Sequence, residues 1–574
     1  VTGGGEPMLR TLLIIVVVPA AGLLAYLALG RHRPRADFVL ATPEPRTLDP
    51  ARVSWLDEIQ LTSAMFEGLT RLNAHTFQPE PAVARHWEIS PDRTVYTFHL
   101  RPEARWSDGE PVLAADFQLA WLRVLEPECK AQYASLLFVI RGAEAYYRSR
   151  LNADLDDDLP AGEVGIEVLD PRTLRVTLGH PCSYFLELTS FVTFSPVHPG
   201  SIRRWAYRDG RVLADRQHLW ARPGHMVCNG AFVLTQWDFK QSIWLQRNPY
   251  YWDRDAIAAD TMEAWITDDP GAALIAYQTG RIDLVRGLER SVARTLHAQR
   301  AAGRRRDFHT GDLFATFFLR VNCRRPPLDN PDFRKALWLA IDRPALCEHI
   351  LGLGEVPAYT YVPRTALQLM PRTASDGRTV FYQPPAGLGA ELSEAERVEL
   401  ARQHLIESGF GREAAARSIE LAFAPDPEQR LLAEAIAAMW ESRLGIRVTL
   451  RIIEGKVLSS RIAELDYDLA RSDWFGDYLD PATFLEMFTT GNGQNRTGWS
   501  SPEYDRLIGL AAREPDDARR FEYLQQAERI LCEREVPIIP VFFRRGNYLL
   551  NPRLGGAGDD VRGVIQIHRL RPVP

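Results

Sequence analysis

The sequence predicts an α/β protein built in more than one lobe, and three observations carry that expectation. Strand-like and helix-like periods alternate over several hundred residues. The chain has 574 residues, which suggests roughly three to four domain-sized units. Its composition, 46% hydrophobic and 25% charged, is close to the globular average, so a large core can form and a disordered, collagenous or disulfide-scaffold chain is excluded. A formal charge of -6 argues against nucleic-acid binding through bulk charge.

From Leu12 to Leu29 every residue is aliphatic, small or Pro apart from Tyr26, about 18 residues, just enough to cross a bilayer core. Arg10 precedes the run, and Arg31, His32, Arg33 and Arg35 follow it. We expect one N-terminal transmembrane helix that anchors the chain, with the bulk outside the cytoplasm. A literal positive-inside count would put the far side in the cytoplasm, but long domains translocate regardless of such counts. The alternative is a cleaved signal peptide, for which Ala28 and Gly30 are small residues at a plausible site. No cysteine lies near the run, so a lipid anchor is excluded.

Beyond it, Thr94 to Leu100 reads as a strand, Trp106-Ser107-Asp108-Gly109 as a turn, and Leu113, Phe117, Ala120, Trp121 and Val124 as one face of a helix ending at Pro127. The same grammar returns late in the chain. Leu432, Ile436, Met439, Trp440 and Leu444 share a helix face that Gly445 caps. Ile446, Val448, Leu450 and Ile452 then alternate with Arg447, Thr449 and Arg451, the pattern of a half-buried strand. Phe521, Leu524, Ala527 and Leu531 mark a last helix, followed by an apolar strand from Val536 to Phe543.

Motifs for catalysis and metal chemistry are missing. There is no G-x-x-x-x-G-K-[ST], no H-E-x-x-H and no G-x-S-x-G, so phosphate-loop, zinc-protease and serine-hydrolase chemistry lose their usual anchors. Gly352-Leu353-Gly354 reads as a helix end. Asp154, Asp156, Asp157 and Asp158 start like a calcium loop, but Leu159 replaces the required glycine, which leaves a solvated turn. Cys129, Cys182, Cys228, Cys323, Cys347 and Cys532 form no C-x-x-C pair; six cysteines allow 15 full pairings, and buried free thiols are the equal alternative. The balance points to binding without catalysis and without a cofactor.

Several separated segments, taken together, resemble the extracytoplasmic oligopeptide- and dipeptide-binding proteins of ABC transporters, the family-5 solute-binding proteins. They are Leu48-Asp49-Pro50, Phe66-Glu67-Gly68-Leu69, Ala84-Arg85-His86-Trp87, Tyr96 to Arg101, Trp106 to Gly109 and Asp116-Phe117. Further on come Asn229-Gly230-Ala231-Phe232, Asn248 to Trp252, Arg334 to Arg343, Tyr467 to Arg471, Trp474 to Asp477 and Ser501 to Asp505. The resemblance implies a periplasmic-binding-protein type II (Venus flytrap) fold that closes on a ligand about a hinge. On this reading residues 1–36 are the anchor or signal segment, 37–66 the first segment of lobe I and 67–194 an additional subdomain. Residues 195–314 are the second segment of lobe I, 315–540 lobe II, and 541–574 the return to lobe I. It also implies a monomer on the periplasmic side that delivers oligopeptides to ABC transporter permease subunits.

The same resemblance assigns a binding site. Asp477, three residues after Trp474, stands where relatives pair an aspartate with the ligand's α-ammonium; the alternative is a surface aspartate capping the next element near Pro481. Arg471 matches an arginine that meets the peptide carboxylate, for which a bidentate guanidinium is suited, or else forms an intralobe salt bridge with Asp473. Trp474 and Tyr133 match aromatics beside the ligand, with core packing as their alternative, and Asn229 matches a cleft-lining asparagine. Ser54, Trp55 and Leu56 fall where the first lobe offers an extended strand edge. Asp473 departs from a common glycine and would exclude ordinary peptides or select basic ones. Phe475 and Ala315 replace a cysteine pair that some relatives link. Other solutes (dipeptide, haem, nickel chelate, oligosaccharide) and an anchored sensor or scaffold without transport remain as rivals.

Overall fold

A mixed sheet of 11 strands runs through the protein, because its strands come from every part of the chain and are interleaved with helices that cover its faces. The computed structural model describes residues 34–573 apart from 75, 152–158, 209–210, 213–218, 369, 410–417 and 558–560. Phe38–Pro574 forms one compact unit, separate from Val1–Asp37. The apolar run Leu12–Leu29 and the acidic run at 154–158 lie outside the described residues. Among the described residues no helix is long and apolar enough to cross a membrane.

The chain starts with β1 (Phe38–Thr42) and α1 (Leu56–Met65). It then builds a separate antiparallel sheet from β2 (Ala84–Ile89), β3 (Val95–Leu100), β4 (Ile166–Asp170) and β5 (Thr173–Thr177), with α2 (Ala114–Val124) inserted after β3 and the short α3 (Phe185–Leu188) after β5. The strand and helix expected around Thr94 and Leu113 are β3 and α2. The large sheet resumes with the hairpin β6 (Phe232–Asp238) and β7 (Ser242–Arg247), then β8 (Thr261–Ile266), β9 (Leu284–Arg286) and the long β10 (Phe308–Val321). It is completed by β11 (Ile419–Phe423), α4 (Pro427–Leu444), β12 (Val448–Ile452), β13 (Leu469–Phe475), α5 (Asp517–Arg529) and the long β14 (Ile538–Leu550). The spatial order is β6-β7-β8-β1-β9-β14-β10-β13-β11-β12, and Val356–Pro357 adds a short strand against β14.

Local chemistry explains the boundaries. Asp426 accepts a hydrogen bond from the Gln429 amide at 2.9 Å and Pro427 occupies the first turn, so α4 starts there. Gly445 ends it with φ at 72°, as the sequence predicts. β12 is the edge strand, which leaves Ile452 55% exposed where the alternation predicts a half-buried face. β14 runs past Phe543 because its last residues pair with β9, Leu550 facing Leu284.

Two hydrophobic cores lie on either side of a shared seam. One holds Leu40, Trp106, Trp121, Tyr548 and Leu550; the other holds Phe317, Trp338, Trp440, Phe542 and Ile539. β14 contributes residues to both cores and β10 to the second, and their antiparallel register shifts between Asp312 and Thr316. The extra residues of such a bulge bend the ladder where the chain passes from one core to the next. Ala315 faces Phe475 in register on β13. All six cysteines are free, five of them buried.

Asp49, in the first motif of the chain, anchors the first core. Its carboxylate is fully buried, accepts from both terminal nitrogens of Arg123 on α2, and takes the Trp220 indole at 3.1 Å. Removing one partner of such a pair leaves an uncompensated buried charge, at a cost of about 3–5 kcal/mol. Arg123→Met should therefore lower the unfolding free energy by about that amount in urea titrations; a loss under ~1 kcal/mol would show that water reaches Asp49.

Candidate functional site

A cavity of about 700 Å³ lies between elements of the two cores. Ser54, Leu56 and Ile59 at the start of α1, with Tyr133 and Phe191, form one wall. The other is the segment Asp473 to Tyr478 at the end of β13, with Thr483 and Glu486. Gly476 lets this segment turn tightly: its amide donates to the Phe314 carbonyl at 2.8 Å, and a Cβ there would lie 2.4 Å from the Phe314 ring. Thr483 then holds the loop from beneath. Its hydroxyl accepts from the Asp477 amide at 3.1 Å and its carbonyl from the Trp474 indole at 2.9 Å.

The carboxylate of Asp477 faces this cavity half-buried, and among the described residues no cation or hydrogen-bond donor pairs with it. Burial alone pushes its pKa up to about 7. Tyr133 faces it across the cavity: burial first, and then the charge of Asp477, raise the phenol's pKa. Tyr133 packs edge-on against Phe191 at 5.1 Å. Trp474 is part of the wall and part of the second core at once, so both readings of this aromatic hold.

Of the nine residues expected at a site, Asp477, Trp474, Tyr133, Ser54, Leu56 and Asp473 line the cavity. Arg471, Asn229 and Trp55 do not line it, and each has a physical reason. Arg471 pairs with Asp473, whose other oxygen takes Arg544 Nε at 2.6 Å, and both guanidiniums flank the Phe317 ring. The intralobe salt bridge is thus the observed state of Arg471. Burial opposes ionisation of Asp473, yet Arg544 and then Arg471 hold its pKa below the usual carboxylate range. Asp473 is therefore already neutralised, which removes the ground for expecting it to select basic ligands. Asn229 is buried with its amide spent on the Glu67 backbone, accepting at 3.1 Å and donating at 2.8 Å. Gly230 beside it packs directly on Met65, where a Cβ would lie 2.4 Å from the backbone.

Ser54 and Trp55 lead directly into a helix: Trp55 keeps an extended backbone as the residue before the first turn, and Leu56 is the first helical residue. Glu58 accepts from the amides of both Ser54 and Trp55, at 3.2 and 3.3 Å, and the Trp55 carbonyl accepts from Ile59 as the first helical bond. Trp55 points outward, 53% exposed, under the Arg46 guanidinium at 4.0 Å. Thr483 and Glu486 are cavity residues that the sequence reading missed. Burial raises Glu486 to about 7 against the pull of Arg520, and Tyr478 donates to it at 3.1 Å. The one available signal was Asp480-Pro481, which marks a turn into the short helix that carries Thr483 and ends at Glu486.

Beside the cavity a buried network ties the two walls together. Glu187 on α3 accepts from the Leu479 amide at 3.0 Å and pairs with Arg372 at 2.7 Å. Arg372 also reaches Asp480, which Arg520 on α5 grips through both oxygens at 2.6 and 2.9 Å. Tyr184 stacks on Tyr478 with centroids 4.0 Å apart. Nothing in the linear sequence links positions 187, 372, 480 and 520.

Comparison with known proteins places this geometry among binding proteins. The profile "Bacterial extracellular solute-binding proteins, family 5 Middle" matches residues 78–496. The dipeptide-binding protein DppE of Bacillus subtilis (strain 168) is 32% identical over 517 residues, 89% of this chain and 87% of that protein. The structure of the Escherichia coli murein tripeptide binding protein MppA superposes with a TM-score of 0.77 at 26% identity, covering 94% of this chain and 99% of that one. Haemophilus influenzae OppA in complex with RPPGFSPFR gives 0.75 at 25% identity, covering 95% and 100%.

The unpaired carboxylate has a measurable consequence without any ligand. Folded Asp477 keeps its proton up to about pH 7, whereas an unfolded aspartate releases it near 3.8. Its contribution is therefore most favourable below that lower value and is lost as pH rises through about 7. Asp477→Asn should stabilise the ligand-free protein at pH 8 by on the order of 1–3 kcal/mol, with the gain vanishing toward pH 4. Urea titrations across that range check it, and parallel pH profiles for the two proteins would mean that Asp477 is paired.

Proposed function

The chain belongs to family 5 of the bacterial extracellular solute-binding proteins, and on that premise we propose that it captures oligopeptides in the cavity and delivers them to an ABC-type permease. The observation that carries this reading is Asp477: a carboxylate without a cation in a cavity wall is a site for one supplied by the ligand. The peptide's α-ammonium fits it, with the ring of Tyr133 opposite and Trp474 beside it. Polar walls such as Ser54, Gln132 and Gln494 suit the amides that every peptide shares. The names of relatives support the ligand class: one is a dipeptide-binding protein and another was solved with a nonapeptide.

The rest of the proposal follows from the same role. Leu12–Leu29 anchors the chain to the membrane and the folded part works outside the cytoplasm as a monomer. It performs no chemistry of its own, since the sequence carries no nucleophile constellation.

The test is peptide binding by calorimetry, after native mass spectrometry has weighed whatever co-purifies. Asp477→Ala should weaken binding at least a hundredfold, consistent with the roughly 3–5 kcal/mol of a buried charge left alone, and N-acetylation of the peptide should do the same. Because Asp477 must lose its proton to bind an ammonium, affinity for the parent should fall by up to about tenfold per pH unit below about 7. Undiminished binding of acetylated peptides, or by the alanine variant, would remove the assignment.

A further inference from the structure

On the outer face of the four-stranded sheet, away from the cavity, two histidines meet across adjacent strands. His86 of the edge strand β2 stands directly opposite His99 of β3 in the antiparallel register. Their rings stack with centroids 4.4 Å apart and planes within 14°. Glu88, two residues along β2 and so on the same face, brings its carboxylate to 3.5 Å from His99 Nε2. One ligand atom from each of the three lies within 4.8 Å of the others. The inward face of the same strands is apolar, with Trp87 packed near Phe98, so the backbone that presents the three side chains is rigid.

Two features separate this cluster from a surface ion pair. First, His99 Nε2 is buried and has no hydrogen-bond partner. A shielded imidazole nitrogen without a partner is a lone pair or a proton left unsatisfied, at a cost that binding would relieve. Second, the two rings come from adjacent strands whose register fixes their spacing, and imidazole nitrogen is a common ligand of transition metals. The other two groupings of this kind among the described residues are already satisfied internally. His198 Nδ1 accepts the Ser201 amide as a helix cap, and His404 Nδ1 sits 3.1 Å from Asp332 and 3.3 Å from Glu407.

We infer that His86, His99 and Glu88 form a surface site for a divalent transition-metal ion of the zinc class. Two imidazoles and one carboxylate are a donor set that prefers such ions over magnesium or calcium, which take oxygen ligands. In a tetrahedral zinc site, ligand atoms lie roughly 3.3 Å apart, so the observed spacing needs rotamer adjustments of the exposed His86 and Glu88 around the half-buried His99. Water fills the remaining position. Asp170, on the β4–β5 hairpin, interacts electrostatically with His99 and adds negative charge around the ion. Bound there, the metal cross-links the edge strand β2 to β3, so its effect is on the stability of this subdomain and not on the ligand cavity.

The experiment is zinc titration of the full chain after chelator treatment, by calorimetry and thermal denaturation, with Cu2+ as a spectroscopic probe. The parent should bind one equivalent that the His86→Ala/His99→Ala double variant does not bind, and zinc should raise the melting temperature of the parent alone. Glu88→Gln, which keeps both imidazoles, should weaken the site about tenfold, equivalent to about 1.4 kcal/mol. The Cu2+ spectrum should show coupling to two nitrogens, lost in the double variant. Circular dichroism matching the parent establishes that the variants fold. Equal zinc stoichiometry and affinity in parent and double variant, or a copper spectrum without nitrogen coupling in the parent, overturns the inference.

Discussion

Three aspartates in one eight-residue stretch decide what this protein is able to do, because two of them are neutralised and one is not. Asp473 is held by Arg471 and Arg544, and Asp480 by Arg520 with Arg372 nearby. Asp477 between them faces the cavity with no partner among the described residues. A buried carboxylate without a cation is tolerated only where the surrounding structure is strong enough to hold it. The paired aspartates and the Thr483 contacts supply that hold. The polar and aromatic walls of the cavity surround that carboxylate.

The architecture keeps the two walls of the cavity in one relative placement. β14 carries the sheet from one core into the other, paired with β10 along a ladder whose register shifts near Asp312. Around them Glu187, Arg372, Asp480 and Arg520 place four charged side chains in one buried network that spans the walls. Such networks contribute little net stability compared with well-packed apolar residues. Their geometry is demanding, however, and they define one relative placement of the walls. The Tyr184–Tyr478 stack adds contact area at the same point.

Much of this was legible residue by residue. Period-two and period-3.6 patterns identified β3, α2, α4 and β12, because each buries a face through its own spacing. Asp477 and Trp474 were legible through a short motif whose spacing survives in this chain. Arg471 was legible only as an alternative: its partner is two residues away, but whether a guanidinium turns inward or toward the cavity depends on Arg544 from a strand more than 70 residues later. Asn229 and Trp55 were misplaced for a similar reason. Asn229 is spent on the Glu67 backbone, and Glu58 converts the expected strand edge into a helix start.

The sequence by itself determined the α/β class, many of the local elements and the family, and it drew attention to the aspartate that stands in the cavity wall, since all of these are read from short-range patterns. The tertiary structure alone decided which charges cancel, which residues line the cavity and how the walls are tied, and it alone brought His86, Glu88 and His99 together through strand register. Burial and pairing are properties of the assembled neighbourhood: a carboxylate's partner, and hence its charge at neutral pH, comes from strands and helices that the chain reaches only after folding.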